Sequence, residues 1–526
     1  MQRKSDYLLP FLFAVFLAIG MILGANFNPS NEGFGADEYS KKLNQVLGYI
    51  ESSYVDDPNK EELIEGAITE MLSELDPYSS YISAKDLSHA TEQLEGNFDG
   101  IGVEFNVRND TVTILHVIPG GPSEKVGLLP GDQIINVEGE TIAGIGINNS
   151  EIIRELKGPK DTKVAIEIKR KTESELLDFE ITRDKIKIES VVASYMANSH
   201  TGYIKVTRFA GNTSNDFKNS IEDLKAEGAK SLVVDLRGNP GGYLGAATSM
   251  VDQFLNSGDL ITYTQGRSRN REDYEATGDG IFRQGNLVVL INENSASASE
   301  IFSGAIQDQD RGLIVGQRSH GKGLVQEPIV LRDGSQIRLT VARYYTPSGR
   351  CIQRPYDMSI ENGANDSTAE TFTTKKGRTV LEGGGVVPDI IVEEDSLYKN
   401  GFYQGVLRKG LIYDLALGYF NTHLKQLESS YTNFESYDQG FEVPAMVIDS
   451  SKSVLRKSEF NFTEDEADDV RLEIESQFKA LIARYIWGDN AFYTIMNRND
   501  QIMKKALDAI ENEKLAAFGI SSNADL

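Results

Sequence analysis

Leu232-Val-Val-Asp-Leu-Arg-Gly-Asn-Pro-Gly-Gly242 decides the fold. A short apolar run ends in a glycine-rich turn. A helical pattern then begins, with Leu244, Ala247, Val251, Phe254 and Leu255 on one face. The same order recurs downstream. Leu287-Val-Val-Leu-Ile291 leads through Asn-Glu-Asn-Ser295 into a helix carrying Ile301, Phe302, Ala305 and Ile306, and Leu313-Ile-Val315 makes a third strand. These are βα units, which imply a largely parallel sheet with helices on its faces.

Working outward, the pattern changes on both sides. Residues 100 to about 184 read as short strands and glycine turns: Val112-Thr-Ile-Leu-His-Val117, Gln133-Ile-Ile-Asn-Val137 and Val164 to Lys169 are strands, and Asn149 to Leu156 is a short helix. Residues 37 to about 96 read as helical, with Leu43, Val46, Leu47 and Ile50 recurring at helical spacing, followed by Leu63, Ile64, Ile68, Met71, Leu72 and Leu75. Glu361 to Arg378 is polar and reads as a mobile insert. From about Tyr398 the chain is helical again, and Thr463-Glu-Asp-Glu466 is a capping-box start. The expected architecture is multidomain α+β. An N-terminal segment (1–36) precedes a helical region (37–98), a β-rich domain (99–182), an α/β core (183–395) and a C-terminal helical region (396–526).

At the N-terminus Arg3 and Lys4 precede an uncharged stretch, Leu8 to Ala25, of 18 residues. A basic flank before an apolar run marks a secretory signal or an uncleaved anchor. Leu23-Gly24-Ala25 is a poor cleavage site, so a single-pass membrane helix is expected, with a cleaved signal as the alternative. Either way the chain is expected to be exported, to the periplasmic side of the inner membrane.

Composition narrows the chemistry. The 526 residues carry a formal net charge of −26, which repels phosphate backbones and makes nucleic acid an unlikely partner. Cys351 is the one cysteine and cannot form an internal disulfide or a thiolate zinc site. The five histidines are scattered, without an H-E-x-x-H pair, so neither a metal nor an organic cofactor is expected. The densest polar cluster is Ser295-Ala-Ser-Ala-Ser-Glu300 at a strand-to-helix junction. Such an elbow exposes a side chain at the carboxyl edge of the sheet, where main-chain N–H groups can hold an oxyanion. The bland reading is a helix cap at Ser295. A serine nucleophile needs a base, and the candidates in reach are His320 and Lys322 of Ser319-His-Gly-Lys-Gly-Leu-Val-Gln326. A lysine serves as a base only when burial and neighbours bring its pKa from ~10.4 towards ~7–8. Gly316 to Lys322 also matches a phosphate-cradling loop, but Gly323 stands where Ser or Thr is required, and a helix cannot start there. Gly100-Ile-Gly-Val103 can aim successive N–H groups at a carboxylate, beside a groove for an added peptide strand.

Seven stretches, in order, resemble the carboxyl-terminal processing serine peptidases (tail-specific proteases). They are Leu75-Asp-Pro-Tyr-Ser79, Gly100-Ile-Gly-Val103, Val234 to Gly242, Ser295 to Glu300, Gly321 to Gln326, Tyr345-Thr-Pro-Ser-Gly349 and Val387-Pro-Asp389. The resemblance implies a serine endopeptidase with Ser297 as nucleophile, Lys322 as general base and Gln326 orienting the lysine. The implied oxyanion donors are the N–H of Ala298 and that of Gly241 or Gly242. It also implies a PDZ domain over 99–182, whose Gly100, Ile101, Gly102 and Val103 bind the C-terminal tails of protein substrates, and it suggests self-association. His320 departs from the family pattern, which favours a large apolar residue there. A different class, a non-catalytic envelope scaffold binding C-termini, would retain the PDZ groove without chemistry.

Overall fold

The computed structural model describes residues 38–108, 110–356, 370–393, 396–512 and 514–518. The expected membrane segment, Leu8 to Ala25, lies outside them. Among the described residues no helix is long and apolar enough to cross a membrane. The chain forms two compact units, one ending at Pro77 and the other beginning at Tyr78.

The first unit holds helices Glu38–Ser53 and Lys60–Ser73, the second capped by Asn59, whose side chain accepts the Glu62 N–H. The helical periodicity was legible, but its burial is not as the pattern predicts. Leu43, Val46, Leu63, Ile64 and Met71 are exposed, and Leu72 is buried. Two short helices have too little mutual surface to cover a full apolar stripe.

The second unit begins with a departure from the expected all-helical segment: Ser80–Ile82 is a strand paired with Gln336–Tyr345, ahead of helix Leu87–Glu95. Next comes a small β domain. Its sheet orders strands Val103–Arg108, Thr111–Val117, Gln133–Val137, Lys163–Lys169 and Leu177–Thr182, and Asn97–Gly100 pairs with Asp184–Lys187 across the domain's ends. Helix Asn149–Leu156 starts from a capping box at Asn148 and buries Ile152 and Leu156 in the domain's core.

The central layer is a six-stranded sheet whose spatial order follows the chain: Val191–Met196 (β1), Thr201–Val206 (β2), Ser231–Asp235 (β3), Asn286–Ile291 (β4), Leu313–Gly316 (β5) and Ile390–Ile391 (β6). β1 is antiparallel to β2 and every later pairing is parallel. The apolar runs read from the sequence are continuous because both faces are covered. Leu232, Val234, Leu287, Val289 and Ile291 pack with helices Thr213–Ala226 (α1), Leu244–Asp252 (α2) and Ala298–Asp308 (α3). Val233, Val288, Leu290, Leu313 and Val315 face the other way, onto Met503, Ala506, Ala509 and Ile510 of helix Gln501–Glu511 (α4). Near the C-terminus, therefore, the chain returns to complete the core. Helices from Gly401–Arg408 to Arg471–Trp487 build a separate core around Phe402, Phe420, Tyr437, Ile474 and Phe478. The Thr463 capping box is present and opens the short helix Glu464–Asp469.

Part of the polar insert lies outside the described residues (357–369). The rest is not a mobile loop. Thr371–Thr373 and Thr379–Leu381 form a hairpin, and Arg378 between them donates to Asp310 at 2.6 Å and also to Asp389. Two carboxylates against one planar guanidinium hold this segment on the core.

A buried charge cluster ties α4 to the end of β3. Tyr203 donates to Asp235 at 2.8 Å, Lys205 donates to Asp235 at 3.1 Å, and Arg237 donates to Asp235 at 2.6 Å and to Asp500 at 2.6 Å. Asp500 also caps α4 by accepting the Met503 N–H at 2.7 Å. Burial alone would raise the Asp235 carboxyl, yet Arg237 and Lys205 hold it well below the usual range. Replacing Asp500 with Ala removes both a cap and a charge partner. We expect a loss of about 2–4 kcal/mol in unfolding free energy, measured by denaturant titration.

Candidate active site

Two elbows meet at the carboxyl ends of β3 and β4. Their contact is made of hydrogen bonds that sequence spacing could not reveal. Ser295 Oγ donates to the Leu236 carbonyl (2.9 Å), the Ala296 N–H and Ser299 Oγ both donate to the Asn239 carbonyl (3.0 and 2.9 Å), and the Gly238 N–H donates to Asn292 Oδ1 (2.8 Å). Ser295 and Ser299 are fully buried and spent on this joint. Ser297, between them, is only half-buried. The serine cluster therefore presents one hydroxyl, and the helix cap is Ser297 rather than Ser295. Its backbone sits at φ 53°, ψ −112°. Such a conformation costs a non-glycine residue roughly 1–3 kcal/mol and persists where surrounding bonds enforce it.

The glycines of the first elbow are needed for close approach. A Cβ on Gly241 would lie 2.9 Å from Ser297 Cβ, and one on Gly242 would lie 2.1 Å from the Phe209 carbonyl oxygen. The two differ in what their N–H groups do. Gly241 donates to Asn239 Oδ1 at 2.9 Å, so its N–H is engaged, which counts against it as an oxyanion donor. The Gly242 and Ala298 N–H groups have no acceptor among the described residues.

Glu300 joins this elbow to the lysine loop. The carboxylate is fully buried and accepts four donors: the N–H of Ser297 (2.8 Å), Gly321 (2.7 Å) and Lys322 (2.9 Å), and Ser319 Oγ (2.5 Å). Burial pushes the carboxyl above its ordinary range, and the donors from Ser319, Lys322, Gly321 and Ser297 pull it back in part. Tyr344 makes a second tie, its hydroxyl lying 3.1 Å from the Ser297 carbonyl and 2.6 Å from that of Lys322. Gly321 and Gly323 let the loop lie on neighbouring backbone. A Cβ on Gly321 would meet Arg354 Cβ at 2.9 Å, and one on Gly323 would meet the Gln353 nitrogen at 2.8 Å.

Lys322 is half-buried, and its Nζ donates to Gln326 Oε1 at 3.1 Å. Gln326 lies in strand Leu324–Val330, just past a register shift between Val325 and Gln326. A bulge of this kind re-aims one side chain. The strand also disposes of the phosphate-loop reading, since no helix follows Lys322. Two residues that sequence reasoning did not assign to the site also line it. Tyr78 carries the Lys322 ammonium 4.5 Å from its ring centre and accepts the Gln326 Nε2 hydrogen on its carbonyl. Tyr344 is the other. Tyr78 lies inside Leu75-Asp-Pro-Tyr-Ser79, so a signal existed; Tyr344 is the second-last residue of strand Gln336–Tyr345, with nothing to mark it.

In the β domain, Ile101 and Gly102 turn their carbonyls inward. Ser123 Oγ donates to Ile101 O at 2.7 Å and the Ile118 N–H donates to Gly102 O at 3.0 Å. The Ile101 and Gly102 N–H groups have no acceptor among the described residues. Gly100 is held in its strand opposite Asp184, and Val103 opens the strand Val103–Arg108.

Comparison with known proteins supplies the class, a serine-type peptidase carrying a PDZ domain. Residues 200–361 match Peptidase family S41, residues 100–181 the PDZ domain, residues 25–86 the activating protease CtpB N-terminal domain, and residues 402–488 a family of unknown function, DUF8443. A carboxy-terminal-processing protease of Bartonella bacilliformis is 33% identical over 413 residues, covering 78% of this chain and 85% of that protein. The carboxy-terminal processing protease CtpA of Bacillus subtilis is 34% identical over 319 residues, covering 60% and 67%. Among solved structures, the photosystem II D1 C-terminal processing protease is 27% identical with a TM-score of 0.38, covering 68% of this chain and 87% of that one. The chain belongs to the carboxy-terminal processing proteases of this peptidase family.

Glu300 is the buried group on which the two loops converge. Glu300→Gln turns an amide N–H₂ towards main-chain donors and leaves at least one unsatisfied. We expect unfolding free energy to fall by about 2–4 kcal/mol, read from denaturant titration.

Proposed function

We propose that Ser297 is the nucleophile, Lys322 the general base and Gln326 the group that orients the lysine. In this reading uncharged Lys322 takes the proton of Ser297 Oγ, and the oxygen attacks a substrate peptide carbonyl. The oxyanion is held by the Gly242 and Ala298 N–H groups. Lys322 then returns the proton to the leaving amine, and water hydrolyses the serine ester. The observation that carries the reading is the single hydroxyl left outside the inter-elbow joint, on a strained backbone tied through Glu300 to the lysine loop.

The substrates in this reading are proteins with accessible C-terminal tails. The relatives' names point to carboxy-terminal processing. The N–H groups of Ile101 and Gly102 would receive the terminal carboxylate, with the tail added as a strand beside Val103. We further propose that Leu8 to Ala25 anchors the enzyme in the inner membrane with the catalytic chain on the periplasmic side, and that the chain self-associates.

Ser297→Ala and Lys322→Ala are each expected to abolish cleavage of a tailed protein substrate while leaving the thermal unfolding midpoint near that of the wild type. Turnover at wild-type rate in either variant would remove the assigned mechanism. Substrates retained by Ser297→Ala in cells should share apolar C-terminal residues. Captured proteins with no common C-terminal chemistry would remove the tail-recognition part.

A further inference from the structure

The inference drawn here rests on the Ser297–Lys322 reading and deepens it. Tyr78 touches the proposed base apparatus with three different groups. Its ring lies 4.5 Å from Lys322 Nζ, its carbonyl accepts from Gln326 Nε2, and its phenol oxygen is 3.5 Å from His320 Nε2. His320 is anchored to the serine side of the cleft. Its main-chain N–H donates to the Ser295 carbonyl at 3.0 Å. We propose that Tyr78, oriented by His320, is a positioning residue that sets the Lys322–Gln326 pair in its working geometry.

A glutamine amide can face a lysine with either end. Because the Tyr78 carbonyl takes the Nε2 hydrogen, the Oε1 end must face Nζ, and only that end attracts a lysine that carries or receives a proton. A lysine stem loses about 2 kcal/mol of rotamer freedom when fixed, and the ring supplies a wall that confines it. The ring's negative face interacts most strongly with the ammonium, the form created when Lys322 takes the serine proton. The contact therefore strengthens as the reaction advances.

His320 adds a dependence on pH. Burial disfavours its charged form, as do Arg354 and Lys322 nearby, and the Glu293 main chain offsets this in part. Its pKa is thus lowered and the ring is neutral around neutral pH. Neutral Nε2 can accept the phenol hydrogen. On protonation it becomes a donor, and a second positive charge appears beside Lys322. Activity should accordingly fall more steeply on the acid side than the titration of one lysine allows.

The test uses the purified full chain, a protein substrate with an apolar C-terminal tail, and kcat and KM measured from acid to alkaline pH. Tyr78→Leu is expected to lower kcat about 100-fold with KM changed by less than about two-fold, the signature of a misplaced catalytic group rather than lost binding. Both variants keep the main-chain carbonyl, and Tyr78→Phe also keeps the ring and guards against misfolding; its kcat should fall by less than about ten-fold. His320→Phe should remove the additional acid-side fall in log kcat, leaving the profile of a single titrating lysine. Wild-type kcat in Tyr78→Leu, or the same acid slope in His320→Phe and wild type, would overturn the inference. Ser297→Ala in the same assay separates the two levels. If it retains turnover the catalytic reading itself fails; if it is inert while Tyr78→Leu is fully active, only the positioning role fails.

Discussion

A single buried carboxylate holds the proposed site together. Glu300 lies in the first turn of α3, where the helix dipole favours a negative charge, and it accepts hydrogen bonds from two loops that are distant in sequence. Removing a carboxylate from water costs several kcal/mol, and only a full set of donors offsets it; charge-assisted bonds contribute about 1.5–3 kcal/mol each. Four such bonds make the arrangement affordable only when both loops are in place. The consequence is cooperative. The strained backbone of Ser297 and the tight glycine loop around Lys322 stabilise one another chiefly through Glu300, with the Tyr344 hydroxyl as a second link.

The rest of the fold serves this joint. Parallel strands β3 and β4 end at the same edge, so their following turns must adjoin. Asn239 fills the space between the turns and consumes the donors and acceptors that would otherwise be buried unpaired. Arg237 begins the glycine elbow and is held by Asp235 from the sheet and by Asp500 from the last part of the chain. The C-terminal helices thereby bear on the elbow that carries Gly242, although β4, β5 and β6 intervene in sequence.

Much of this was legible beforehand. The alternation of apolar runs with glycine turns identified β3, β4 and β5 and their helices, because strands buried on both faces read as continuous Val, Leu and Ile. Other features were not accessible, for definite reasons. Which of Ser295, Ser297 and Ser299 is presented depends on hydrogen bonds to Leu236 and Asn239, some sixty residues away. Gly241 and Gly242 look alike in sequence and differ only in where each N–H points. The resemblance named Gln326 as the partner of Lys322, but the bulge that aims it there leaves no compositional mark. The role of α4 was hidden because an amphipathic helix carries no label saying which sheet it covers. The stripe on the first unit's helices misled in the opposite direction, since periodicity reports an apolar face but not a partner for it.

The central claim is that the fold presents one hydroxyl and activates it through the Glu300-linked loop. Covalent labelling with a fluorophosphonate, followed by peptide mapping, tests this most directly. The account predicts a single adduct on Ser297 in the wild type, and labelling slowed at least about ten-fold in folded Glu300→Gln. An adduct on Ser295, Ser299 or a serine elsewhere, or undiminished labelling in Glu300→Gln, would contradict it.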